Sequence, residues 1–138
     1  MLIKLTTIVI LLWAGMILGI SFLESWVKFK AKLLTKPVGL DVGRTVFSAF
    51  HIAQWVLFLL IMSMMLFTWF SISNWLLIVG IGLILIVQTL WLHPQLKHRI
   101  NMIIAGQIPK LSALHGIYTV LELIKLLLLV GFSINLMW

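Results

Sequence analysis

The sequence predicts an all-α membrane protein, a single four-transmembrane-helix bundle over residues 1–138, and three observations carry that expectation. First, the chain is 63% hydrophobic and only 9% charged, with a mean hydropathy of +1.22. A soluble domain ordinarily carries roughly 25% charged residues, and this chain has too little polar surface to cover a core. Second, the apolar residues fall into four runs, each of about 20 residues or more. At 1.5 Å per residue, such a run crosses a hydrocarbon layer roughly 30 Å thick. Third, the Lys and Arg residues other than Lys125 collect outside the runs, mostly between them.

The first span is expected over about residues 5–26. Ser21-Phe22-Leu23-Glu24 lacks the small-x-small pattern of a cleaved leader, so the span is read as retained. Gly15-x-x-x-Gly19 has close-packing spacing on the side away from Glu24, and is expected to seat another helix, from a membrane-protein partner or a second copy of the chain. A basic connector follows from Val27 to Arg44, with Lys28, Lys30, Lys32, Lys36 and Arg44. Pro37 and Gly39 are predicted to break any helix here. Asp41 then N-caps the second span, with Arg44 in its first turn.

Between Thr45 and Leu96 there is no formally charged residue. That length suits two spans, about 46–70 and 75–92, joined at Ser71-Ile72-Ser73-Asn74. Trp69 and Trp75 bracket the joint, where tryptophan favours the headgroup level. The third span is predicted to end at His93-Pro94, because a residue before proline is pushed out of the helical region. Lys97, His98 and Arg99 beside Ile100, Met102, Ile103 and Ile104 predict a short amphipathic interfacial helix between spans three and four. Gly106 and Pro109 stop it. The last span covers about 112–136.

Orientation follows from the cations. Five lie in the first connector and three (Lys97, Arg99, Lys110) in the third, against Lys4 alone on the opposite face. The positive-inside tendency places both connectors in the cytoplasm and both termini outside. The net charge of +7 and pI near 10.3 then reflect topology and anionic headgroups of the bilayer, with no role for nucleic acid. The absence of cysteine excludes disulfides, thiolate metal sites and thiol redox chemistry.

Ionisable residues within spans are costly and mark candidate sites. On span four, His115, Tyr118, Glu122 and Lys125 are spaced by three, four and three residues. They share an arc of roughly 80°. On span two, Arg44, His51 and Gln54 share a face, continued by Phe58, Met62 and Met65. The two stripes are expected to face each other, joined by Glu24, Gln88 and His93, with Asp41 at the rim. Nearly all of them lie in the cytoplasmic half, and the outer half reads as almost purely apolar.

Two readings stay open for this set. Glu122 and Lys125 can form a buried ion pair capped by Gln54 or Gln88, holding the bundle together. Alternatively, His115, Tyr118 and Glu122 line a proton or solute pathway. A cofactor is not expected, with haem or a metal ion as the minority alternative. His51, His93, His115 and Glu122 have ligand chemistry, and His51 with His115 suits axial haem ligation. The paired Glu-x-x-His motifs of di-iron bundles are missing. No nucleotide fingerprint or nucleophile–base pair argues for an enzyme.

The stretch Val27-Lys28-Phe29 through Pro37-Val38-Gly39-Leu40-Asp41-Val42-Gly43-Arg44, then Phe47, resembles a family of small four-span bacterial membrane proteins of unknown function. Leu114-His115 with Tyr118, Glu122 and Lys125 resembles the same family. The layout is more distantly similar to the eukaryotic four-span family linked with cisplatin resistance. His51 and Gln54 stand where that pattern has Asn and Glu. The resemblance implies the bacterial cytoplasmic membrane and a transport or trafficking role. The expected functions are therefore a transport-related or proton-coupled membrane component with a cytoplasm-facing polar cavity, a structural or accessory subunit of a larger complex, or a redox protein.

Overall fold

A computed structural model describes all 138 residues. Four helices are long and apolar enough to cross a membrane: α1 (Leu2–Lys30), α2 (Lys36–Leu66), α3 (Ile72–Ile104) and α4 (Leu114–Met137). Short connectors make successive helices antiparallel neighbours. Each helix packs on two others, in the circular order α1, α2, α3, α4 and back to α1. Both chain termini thus lie at the end that holds the α2–α3 turn. The two basic connectors lie at the other end.

The helices are longer than the predicted spans, and each difference has a physical cause. α2 begins at Lys36 rather than near residue 46, with Thr35 extended before it (φ −73°, ψ 153°). Pro37 does not break the helix, because in the first turn its missing N–H would have had no partner anyway. Asp41 is consequently inside α2 and is not its N-cap. At its far end α2 stops at Leu66, short of the expected residue 70, and Ser71 provides the extended residue before α3.

The predicted break at His93-Pro94 is also absent. The backbone remains helical through His93 (φ −62°, ψ −44°), and the amphipathic stretch His93–Ile104 continues α3 instead of forming a separate helix. A π-helical segment, Gln88–Leu92, lies immediately before the proline. A proline ring clashes with the carbonyl four residues earlier, here Leu90, and the wider π turn relieves that clash. At 33 residues, α3 is about 50 Å long and outreaches a hydrocarbon layer of roughly 30 Å.

α1 also changes pitch, from α over Leu2–Met16 to π over Ile17–Glu24. Its inner face is Thr6, Ile10, Trp13, Ile17 and Ser21, spaced by three or four residues and all buried. These pack with Ile61 and Met65 of α2, Ile78, Ile81 and Leu85 of α3, and Leu129 and Phe132 of α4. The outer faces carry Ile8, Leu59, Leu83 and Leu127, each more than half exposed. An apolar exterior around saturated helical backbones is the arrangement lipid requires.

The end with the termini is less purely apolar than the composition suggests. Asn135 Nδ2 donates to Ser73 Oγ (3.1 Å) and Asn74 Oδ1 (3.2 Å), tying α4 to the start of α3. Thr6 Oγ1 lies 3.5 Å from Met64 Sδ, tying α1 to α2.

Candidate functional site

The site has two parts: a sealed polar cluster inside the bundle and a cavity at its basic end. The cluster is built from all four helices. Lys125 Nζ donates to Glu122 Oε1 (2.7 Å), to Gln88 Oε1 (2.7 Å) and to Gln54 Oε1. An ammonium has three hydrogens to donate, and all are used. Glu122 Oε1 also accepts from Gln88 Nε2 (2.8 Å), while Oε2 accepts from Ser21 Oγ (3.2 Å). Glu122 and Lys125 are each 0% exposed. Their opposite charges and dense hydrogen bonding offset the cost of removing both from water.

Gln54 is the one member left incomplete. Its Oε1 also accepts from Trp13 Nε1 (3.3 Å). Because both Lys125 and the indole are donors only, the amide oxygen must face them. That leaves Gln54 Nε2 buried with no hydrogen-bond partner, at a cost on the order of 1–3 kcal/mol.

Both partners that Glu122 finds on other helices sit in π-helical segments, Ser21 within Ile17–Glu24 and Gln88 at the start of Gln88–Leu92. A π turn rotates side chains off the ordinary α face, and such turns recur at functional sites. Here the rotation aims two polar groups at one carboxylate.

The second part is a cavity of about 230 Å³ between the end of α1, the start of α2, the end of α3 and the start of α4. Lys28, Arg44, Lys97, His93 and His115 contribute polar groups to its walls, with Phe29, Phe47, Leu96 and Ile100 among the apolar ones. Lys28 pairs with Glu24 at 3.3 Å, one turn earlier on α1. Arg44 pairs with Asp41 on α2 and donates to Asn101 on α3. Tyr118 lines the cavity, packs edge-on against Phe47 with centroids 5.4 Å apart, and lies one helical turn before Glu122 on α4. It stands between the cavity and the cluster.

The residues singled out from sequence therefore divide. Gln54, Gln88, Glu122 and Lys125 come together in the cluster. Arg44, His93, His115 and Tyr118 line the cavity, while Glu24 and Asp41 stand behind its cations. The polar stripes of α2 and α4 do meet, but across the diagonal of the bundle, since α4 packs directly on α1 and α3. His51 takes a different place. Its ring stacks on His93 at 5.2 Å, nearly parallel, and its Nε2 lies 2.7 Å from Thr89 Oγ1. Thr89 also accepts from Trp55 Nε1 (3.0 Å).

No three His, Asp or Glu side chains converge as a metal-binding group would. His51 stacks on His93, and His93 and His115 both line the cavity. Ser21, Trp13 and Thr89 are the participants not recognised from sequence. Ser21 and Trp13 were legible in principle, as members of the buried three- and four-residue stripe of α1. Compared with known proteins, the chain matches no described family, no curated protein and no solved structure.

Proposed function

We propose that the chain is a proton-coupled, transport-related membrane component, entered from the cytoplasm through the cavity and gated at Tyr118. The observation that carries this reading is the placement of Tyr118, lining the cavity one helical turn from the buried Glu122 on α4. A hydroxyl both donates and accepts, so it can relay a proton between water in the cavity and the carboxylate. An intramembrane carboxylate paired with a lysine is costly and is commonly retained for ion or proton movement. The two π segments that aim Ser21 and Gln88 at Glu122 add support. In this reading the basic connectors face the cytoplasm, the termini lie outside, and Lys97–Ile104 rests among anionic headgroups of a bacterial inner membrane.

The test is proton flux in proteoliposomes with an enclosed pH dye. Glu122→Gln is expected to abolish flux, as is the charge-free pair Glu122→Leu with Lys125→Met, which keeps the core filled. Folding of both is checked by circular dichroism. Wild-type-like flux in a folded charge-free variant would rule the relay out.

A second reading is favoured by a separate observation: the cluster draws one or more side chains from every helix and is closed to solvent. Such a cluster can serve only to hold a small accessory subunit together. Apart from the adjacent turns of α1 itself, Gly15 and Gly19 have nothing within 4 Å of where a Cβ would lie, leaving a flat face for a partner helix. No flux in the wild type, with folding lost when Lys125→Met breaks the pair, selects this reading.

A further inference from the structure

We infer that the cavity at the basic end binds the single negative charge of a small amphiphile, a carboxylate or phosphate head on an apolar body. The inference rests on the reading above, in taking the cavity as the water-facing entrance, and adds the class of molecule that enters.

Charge is the first argument. Lys28, Arg44 and Lys97 line the cavity, and no carboxylate does. Glu24 and Asp41 stand behind the walls and offset Lys28 and Arg44. Lys97 has no carboxylate within 4.0 Å, since Glu122, the remaining acid, is committed to Lys125. One positive charge is therefore left over beside partly desolvated walls, and one negative charge on an occupant neutralises it.

Geometry is the second. The Lys28 ammonium makes a single hydrogen bond, to Glu24, so two of its three hydrogens are free for an anion. It is held at the cavity by the rings of Phe29 and Phe47, 5.4 and 5.6 Å from the two centroids. Gly43 makes this placement feasible, because a Cβ at that position would collide with Lys28 Nζ. Arg44 is fixed from both sides by Asp41 and Asn101, so the anion meets a prepared donor rather than a mobile one.

Shape and size complete the case. Beside the cations stand Phe29, Phe47, Leu96 and Ile100, a lining suited to carbon rather than to hydrated phosphate alone. At about 230 Å³ the cavity is below the roughly 300–1,000 Å³ of drug-sized sites. It fits a short organic acid or the head and first carbons of a lipid.

The experiment uses the full chain in nanodiscs of neutral phosphatidylcholine, titrated by calorimetry with hexanoate, hexanamide and hexylammonium. These share a tail and differ in head charge. Hexanoate is expected to fill one saturable site, ~10-fold or more tighter than either control, a difference of about 1.4 kcal/mol. Lys97→Gln should remove most of that preference and Gly43→Ala part of it. Gly43→Ala keeps the net charge and improves helix propensity while shifting the Lys28 ammonium. Equal binding of the three probes, or an unchanged hexanoate preference in folded Lys97→Gln, overturns the inference.

A second arm separates the two sources of such an anion. Nanodiscs containing phosphatidylglycerol are analysed by native mass spectrometry. One lipid retained by the wild type and lost in Lys97→Gln assigns the site to a membrane lipid. Hexanoate preference with no retained lipid assigns it to a soluble acid, and either result supports the anion site. The flux assay fails separately: anion binding without proton flux leaves this site standing and ends the relay, and flux without anion preference does the reverse.

Discussion

Lys125 Nζ lies 2.7 Å from Glu122 Oε1, one helical turn away on α4, and neither side chain has any exposed surface. For such a pair the desolvation of two ions nearly cancels their attraction, so its net stabilisation is small. Removing one partner is a different matter, because a charge is then left buried and uncompensated. The same two residues therefore answer very differently to single and to joint replacement.

Lys125→Met alone is expected to lower the unfolding free energy by about 3–5 kcal/mol, while Glu122→Leu combined with Lys125→Met is neutral or stabilising by roughly 1–4 kcal/mol. Reversible unfolding in mixed detergent micelles measures both. Additive losses in the double variant would contradict a coupled pair, since independent sites add and coupled ones do not.

Two glycines on different faces of α3 should respond oppositely to alanine. At Gly82 a Cβ would lie 2.9 Å from Phe58 Cζ, whereas at Gly80 the nearest atom is Leu128 Cδ1 at 3.6 Å. Gly80→Ala is expected to stabilise by up to about 1 kcal/mol through helix propensity. Gly82→Ala is expected to destabilise by about 1–3 kcal/mol through overpacking. Phe58→Leu should recover part of that loss, and melting temperatures of the three variants check the ordering.

Topology is open to direct labelling, because the chain contains no cysteine. Single cysteines replacing Lys32 and Gln107, both exposed, should react with an impermeant maleimide only from the cytoplasmic side. One replacing Ser71, also exposed and at the opposite end of the bundle, should react only from outside. The reverse pattern would invert the orientation inferred from the basic connectors.

Much of the fold was legible because lipid imposes a simple rule: a segment that crosses it must be apolar and internally hydrogen-bonded. Four runs of suitable length, split by cations and by Ser71–Asn74, were enough to count the helices. Their ends were less legible. Pro37 and Pro94 both read as breaks, yet the first occupies an N-terminal turn and the second follows a π turn. A local rule about proline depends on whether the N–H it removes, or the carbonyl it crowds, was needed at that point in the helix.

The sequence by itself determined the class of protein, the side of the bundle that carries charge, and the stripe His115, Tyr118, Glu122, Lys125. It did so because composition and period 3.6 act along one chain. Only the tertiary structure decided that Gln54 and Gln88 reach Lys125 while His51 turns aside to His93 and Thr89. It alone placed Ser21 on Glu122 and opened a cavity beside Tyr118. Those outcomes depend on the order of helices around the bundle, which no residue's neighbours in sequence set, and on two changes of helical pitch, of which only the one before Pro94 has a local cause. A buried charge has to find its partners in space, and the packing of the other helices determines which partners are there.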